Sequence, residues 1–149
     1  MVYMGIWNQF LYPNLSNFLR VELPKVISDK KKWPAFLKYS EFQGRYFGKF
    51  WAVLSLSWGA DPNIKVEPLT NAFGEYRPGR GDDIIYIDTD WAKRFEKDFA
   101  KAEAKQLMEA TILHEMVHWG DDQDGKDQAG EEGEDFERAA YGKVIGKYW

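Results

Sequence analysis

The stretch His114-Glu115-Met116-Val117-His118 decides how this chain is read. It holds both histidines of the 149 residues, four positions apart, with a glutamate directly after the first. On a helix, residues i and i+4 stand one above the other on the same face. Two imidazoles so placed can share one metal ion. Glu115 is turned about 100° from His114, so it does not join them as a ligand. It can still reach a water on the metal and take its proton. Glutamate fills 12 of the 149 positions. A chance coincidence of this pattern is therefore on the order of one in a thousand. The competing reading is a surface helix with two merely solvated histidines.

The flanking sequence supports the helix. Lys101 to Trp119 contains no Gly or Pro and is rich in Ala, Leu, Met, Glu, Lys and Gln, all good helix formers. Leu107, Ala110, Ile112, Leu113, Met116 and Val117 give it a broad apolar face, as in a helix buried in a domain core. Gly120 reads as its stop. In that context the spacing is the H-E-x-x-H arrangement of zinc metallopeptidases.

Composition narrows the chemistry. The length suits one domain, residues 1–149, with a real core. Aromatics reach 17%, so the core or a binding cleft should be rich in them. With no cysteine, disulfides and thiolate metal sites are excluded. A metal must then use imidazole and carboxylate, which suits catalytic better than structural zinc. No apolar run approaches a membrane span. The first residues lack the basic start and cleavage site of a signal peptide. A domain cut from a larger protein would look the same. Net charge is −4, which speaks against nucleic acid despite Lys30-Lys31-Lys32.

The element pattern predicts an α+β fold, mostly helical with a small β-sheet and a central H-E-x-x-H helix. Residues 14 to 28 read as helical with a bend at Pro24. Trp33-Pro34 opens a longer helix that runs to about Trp58-Gly59, with Gly44, Gly48 and Ala52 as a close-packing stripe. Asn63 to Pro68 reads as a short edge strand and Phe73 to Asp82 as a loop. Asp83 to Asp88 is the best strand, and in a peptidase of the H-E-x-x-H arrangement an extended substrate would pair along its Ile84 to Ile87. Asp90 reads as the cap of a helix starting at Trp91. A last helix is expected from about Glu132 to Lys147, with Phe136, Ala140, Tyr141 and Val144 on its inner face.

A catalytic zinc takes three protein ligands and a water. His114 and His118 are two. The third is expected downstream, where Asp121 to Glu137 holds nine acidic residues and one lysine. Glu137 falls inside the apolar arc of the last helix, where a carboxylate is costly unless paired or bound to metal. Glu132 and Glu134 lie towards the margins of that arc. Asp124, six residues after His118, is the metzincin-like alternative, although Gly120 comes one residue too early for that pattern. The loop Asp122 to Glu131 also partly matches a calcium loop, which would hold a structural Ca2+.

The segment from His114 to Gly125, followed by Gly130 to Gly142, resembles the metallopeptidase toxin domains of bacterial polymorphic toxins and secreted effectors. The resemblance is strong over about residues 105 to 142. It implies a zincin-like fold, zinc dependence, and a place as the C-terminal toxin domain of a larger effector. It further implies secretion or delivery into a target cell, a protein or peptide substrate, and a cognate immunity protein. The stretch from Glu137 to Tyr141-Gly142 is also similar to the Asp-x-x-Tyr-Gly signature of aspzincins, with a longer carboxylate one residue further from the tyrosine.

The mechanism expected from these residues is hydrolysis. Glu115 is the general base, and Tyr141 is the candidate donor to the oxyanion. Two other classes stay open: a zinc hydrolase acting on something other than peptides, and a metal-stabilised binding module without turnover.

Overall fold

Ile85 and Ile87, the apolar alternation of the best strand, are fully buried, and the sheet is built around them. The computed structural model describes residues 2–79, 82–123 and 131–149. The chain opens with β1 (Val2–Met4), α1 (Ile6–Leu11) and α2 (Pro13–Asn17). A π-helical turn (Phe18–Glu22) and a 3-10 turn (Leu23–Ser28) continue α2. Then come α3 (Lys32–Tyr39), a 3-10 turn (Phe42–Gly44), α4 (Gly48–Ser55), β2 (Trp58–Glu67), β3 (Gly74–Tyr76) and β4 (Ile84–Asp88). Three helices close the chain: α5 (Thr89–Asp98), α6 (Ala102–Asp122) and α7 (Glu132–Tyr141). The fold is α+β, and no described helix is long and apolar enough to cross a membrane.

The sheet has four strands in the order β1-β2-β4-β3. β1 and β4 flank β2 in parallel, and β3 pairs antiparallel with β4. Two expectations are corrected here. The stretch from Asn63 is the later half of β2, an interior strand rather than an edge. The supposed loop from Phe73 contains β3, which forms the edge. Glycine and charge masked a strand whose partner is non-local. Both sides of β4 are therefore occupied, and the pairing expected for a substrate at Ile84 to Ile87 is taken by β2 and β3.

The long helix expected from Trp33 to Trp58 is also corrected. It is two helices, because Glu41 and Phe47 adopt left-handed backbone at φ 59° and 60°. Helix cannot continue through such residues. Gly48 is the close-packing member of the small-residue stripe, since a Cβ there would overlap the Phe42 carbonyl. Ala52 is fully buried, whereas Gly44 faces open space. The winding expected over 14 to 28 holds, and it changes pitch around Pro24, which has no N–H to donate.

Helix ends differ from the sequence reading in three places. Asp88, not Asp90, caps α5, its carboxylate accepting from Asp90 N and Trp91 N, both at 3.1 Å. α6 runs past Gly120 to Asp122. Gly120 serves close approach instead: a Cβ there would stand 2.9 Å from Ser40 and 3.2 Å from the Phe42 ring. α7 stops at Tyr141 because Gly142 turns left-handed at φ 81°. Val144 thus lies outside the helix and is 40% exposed.

α6 is the central element. Leu107, Met108, Ala110, Ile112, Leu113, Met116 and Val117 are all at most 1% exposed. α3, α5, α7, β3 and β4 pack around it. The core is aromatic, as the composition suggests: Phe18, Phe36, Phe42, Trp91, Phe95 and Phe136 are buried.

Candidate metal and catalytic centre

The apolar faces of α6 fix its rotation, and that rotation sets out His114, Glu115 and His118 on its remaining surface. All three are half-buried. The two imidazole rings lie 5.1 Å apart between centroids, inclined at 60°. α7 covers them. Its position is set by Phe136, fully buried and edge-on to Phe36 at 6.4 Å, and by Ala140. It is also set by Gly133, where any Cβ would overlap the His114 ring around Nε2. The glycine lets the α7 backbone approach the imidazole, which occupies the place a side chain would take.

Glu137 is 5% exposed, a carboxylate buried in the α6–α7 interface. Its Oε1 lies 2.7 Å from Nδ1 of His114, and its Oε2 accepts the Ile145 N–H at 2.6 Å. Both oxygens are thus engaged, as burial of a charge requires. Glu132, at the start of α7, places Oε2 3.9 Å from Nδ1 of His118. Glu134 is turned elsewhere and pairs with Arg138 at 2.7 Å. Asp124 and most of the calcium-loop stretch lie outside the described residues. Of that stretch, Asp122 accepts the Tyr76 hydroxyl at 2.7 Å.

The charges here are coupled. Burial pushes the His114 pKa down, but the hydrogen bond to the Glu137 carboxylate and the nearby charges of Glu115, Glu137 and Glu131 outweigh it and raise the value above that of ordinary histidine. Burial raises the Glu115 carboxyl, against the opposing pull of His114 and the Tyr76 N–H. That N–H, from β3, reaches Glu115 Oε2 at 2.7 Å. Sequence reasoning did not find Tyr76. A backbone donor leaves no mark in the residue type, and Gly74 two positions earlier was the one available hint.

Tyr141 stands apart from the histidines in its bonding. Its hydroxyl donates to Glu109 at 2.9 Å, and Glu109 also binds Lys32 at 2.6 Å. Burial first, then the Glu109 carboxylate, holds its pKa far above that of ordinary tyrosine, so it is a neutral donor.

Among the described residues, no three His, Asp or Glu side chains form a ready cage for a metal ion. Glu137 instead hydrogen-bonds to His114. The donors themselves fit a metal: two imidazoles on one helix face and a buried carboxylate from the facing helix.

The chain matches the family model of metallopeptidase toxin 3 over residues 8–142. No curated protein and no solved structure matches it. The match takes in β2, β3 and α4 as well as the α6–α7 centre, so the likeness first visible over about residues 105 to 142 extends through nearly the whole fold. The chain belongs to the metallopeptidase toxin 3 family, a polymorphic-toxin metallopeptidase domain.

Proposed function

We propose that this domain is a zinc peptidase of the H-E-x-x-H type that acts as a toxin after delivery into a target cell. The observation that carries the proposal is the pairing of His114 and His118 on one face of α6, with the buried Glu137 of α7 bonded to the first of them. In this reading His114, His118 and Glu137 hold the zinc. When bound, zinc polarises a water and the peptide carbonyl. Glu115 takes a proton from the attacking water and hands it to the leaving amine. Its rotation away from the imidazole pair supports this role over ligation. An extended substrate adds at the outer edge of β3, since β4 is paired on both sides. Tyr141 is the proposed oxyanion donor, which requires its hydroxyl to exchange the Glu109 bond for the substrate.

One observation favours a variant of this ligand set. Glu137 sits on Nδ1 of His114, where an orienting carboxylate commonly stands behind a metal-bound imidazole. Glu132, 3.9 Å from His118, would then supply the third ligand.

The test pairs metal analysis with fluorescein-labelled casein as substrate. Wild type should hold about one zinc per chain and His118→Ala much less. Glu115→Gln should retain the zinc and lose cleavage by several orders of magnitude. Equal zinc in wild type and His118→Ala sinks the ligand assignment. Cleavage that survives in Glu115→Gln points to a binding module or a different hydrolytic chemistry.

A further inference from the structure

β3 is only three residues long, yet it touches α6 at three places. Gly74 and Tyr76 lie on the α6 face of the strand, as residues two apart share a face. At Gly74 a Cβ would stand 2.8 Å from Thr111 Cγ2 and 3.1 Å from Glu115 Cγ, so only glycine lets the strand lie this low. At Tyr76 the hydroxyl donates to Asp122 Oδ2 at 2.7 Å, near the C-terminal end of α6. Asp88 N donates inward to Phe73 O at 2.8 Å. In an antiparallel pair that phase turns the Tyr76 N–H outward, away from β4. There it donates to Glu115 Oε2 at 2.7 Å.

We infer that Tyr76 is a positioning residue for Glu115: its main-chain N–H holds the carboxylate, and its hydroxyl, bonded to Asp122, holds the strand that carries that N–H. The inference rests on the reading of Glu115 as general base. A half-buried carboxylate has few rotamers, and a charge-assisted hydrogen bond selects one of them. The hydroxyl–carboxylate link spans from β3 to the turn of α6 beyond His118. The height of the strand, and with it the place of the N–H, is thereby tied to the helix that carries the histidines. Burial and the Asp122 carboxylate hold the Tyr76 pKa above that of ordinary tyrosine, so its hydroxyl stays protonated and donating.

The experiment uses the full chain and two readouts. In the metal-free protein, amide hydrogen exchange is followed at residue 76. In the zinc-loaded protein, kcat and KM are measured on fluorescein-labelled casein. Tyr76→Phe and Asp122→Ala should each speed exchange at residue 76 about tenfold, the weight of one hydrogen bond to a charged group. Each should lower kcat by about the same factor with KM within about twofold. The double variant should be no worse than either single, since both break one link. Asp122→Asn keeps an acceptor and should recover most of the loss. Unchanged exchange in Tyr76→Phe, losses that add in the double variant, or an Asn variant as poor as Ala overturns the inference. A rise in KM with kcat intact also overturns it, because that marks the Tyr76–Asp122 link as serving substrate binding and not the placing of Glu115. If Glu115→Gln cleaves casein like wild type, the base assignment falls. The exchange result then still decides whether Tyr76 fixes that side chain.

Discussion

α6 is gripped on two flanks by contacts of different kinds. On the α7 flank, side chain meets side chain: His114 with Glu137 at 2.7 Å and His118 near Glu132 at 3.9 Å. On the β3 flank, main chain meets side chain, with the Tyr76 N–H on Glu115. Each flank has one glycine that allows the approach, Gly133 on the first and Gly74 on the second. The difference divides the labour of the site. The α7 flank supplies replaceable side-chain donors suited to a cation. The β3 flank supplies a main-chain donor that no substitution except to proline removes directly, suited to fixing an anion.

The division is broken most severely on the α7 flank. Glu137→Ala should weaken zinc binding by about a hundredfold or more if Glu137 is a ligand, and by about tenfold if it only orients His114. Glu132→Ala should have the converse ranking, and Glu134→Ala should do little because Glu134 is spent on Arg138. Competition of each variant against a zinc chelator of known affinity reads this directly. If Glu134→Ala is the most sensitive, α7 is not in the rotation described.

The two glycines sharpen the comparison at smaller effect. Gly133→Ala drives a methyl into the His114 ring, and Gly74→Ala drives one towards Thr111 and Glu115. Each should cost about 1–3 kcal/mol of stability, the usual range for overpacking. Their functional signatures should differ. Gly133→Ala should lose zinc affinity, and Gly74→Ala should keep zinc but lose turnover. Thermal unfolding beside zinc titration separates them, and two variants with the same zinc affinity would erase the distinction between flanks.

Legibility from sequence follows how local each cause is. α6 and its histidine pair were readable because helical periodicity and i, i+4 spacing are properties of neighbouring residues. Glu137 was readable one step further out, by its place in the apolar arc of α7, and it is buried there. β3 was not readable, since a three-residue edge strand exists only by virtue of β4. The break between α3 and α4 was not readable either. It rests on left-handed backbone at Glu41 and Phe47, residues with no preference for it. Its consequence is visible at the surface, where Tyr46, Phe47, Phe50 and Trp51 are all more than half exposed instead of lining one buried helix face.

The smallest effect on stability concerns Tyr141, which lies beyond both flanks in the bonding pattern. Its hydroxyl, Glu109 and Lys32 form a chain linking α7, α6 and α3. Tyr141→Phe removes one donor and leaves Glu109 with its lysine. The cost to stability should be about 1 kcal/mol, the net worth of a single hydrogen bond, read as a shift in the denaturation midpoint at constant slope. Zinc affinity should be unchanged, because no described contact joins this hydroxyl to either histidine. Catalysis then discriminates between two roles for one side chain. A strut between helices should leave kcat on casein within about threefold, whereas an oxyanion donor should cost about a hundredfold or more in kcat. The structural bond to Glu109 and the oxyanion role compete for the same proton. A large loss of kcat would therefore mean that the α6–α7 interface rearranges when substrate binds, and the α7 flank would be the mobile one.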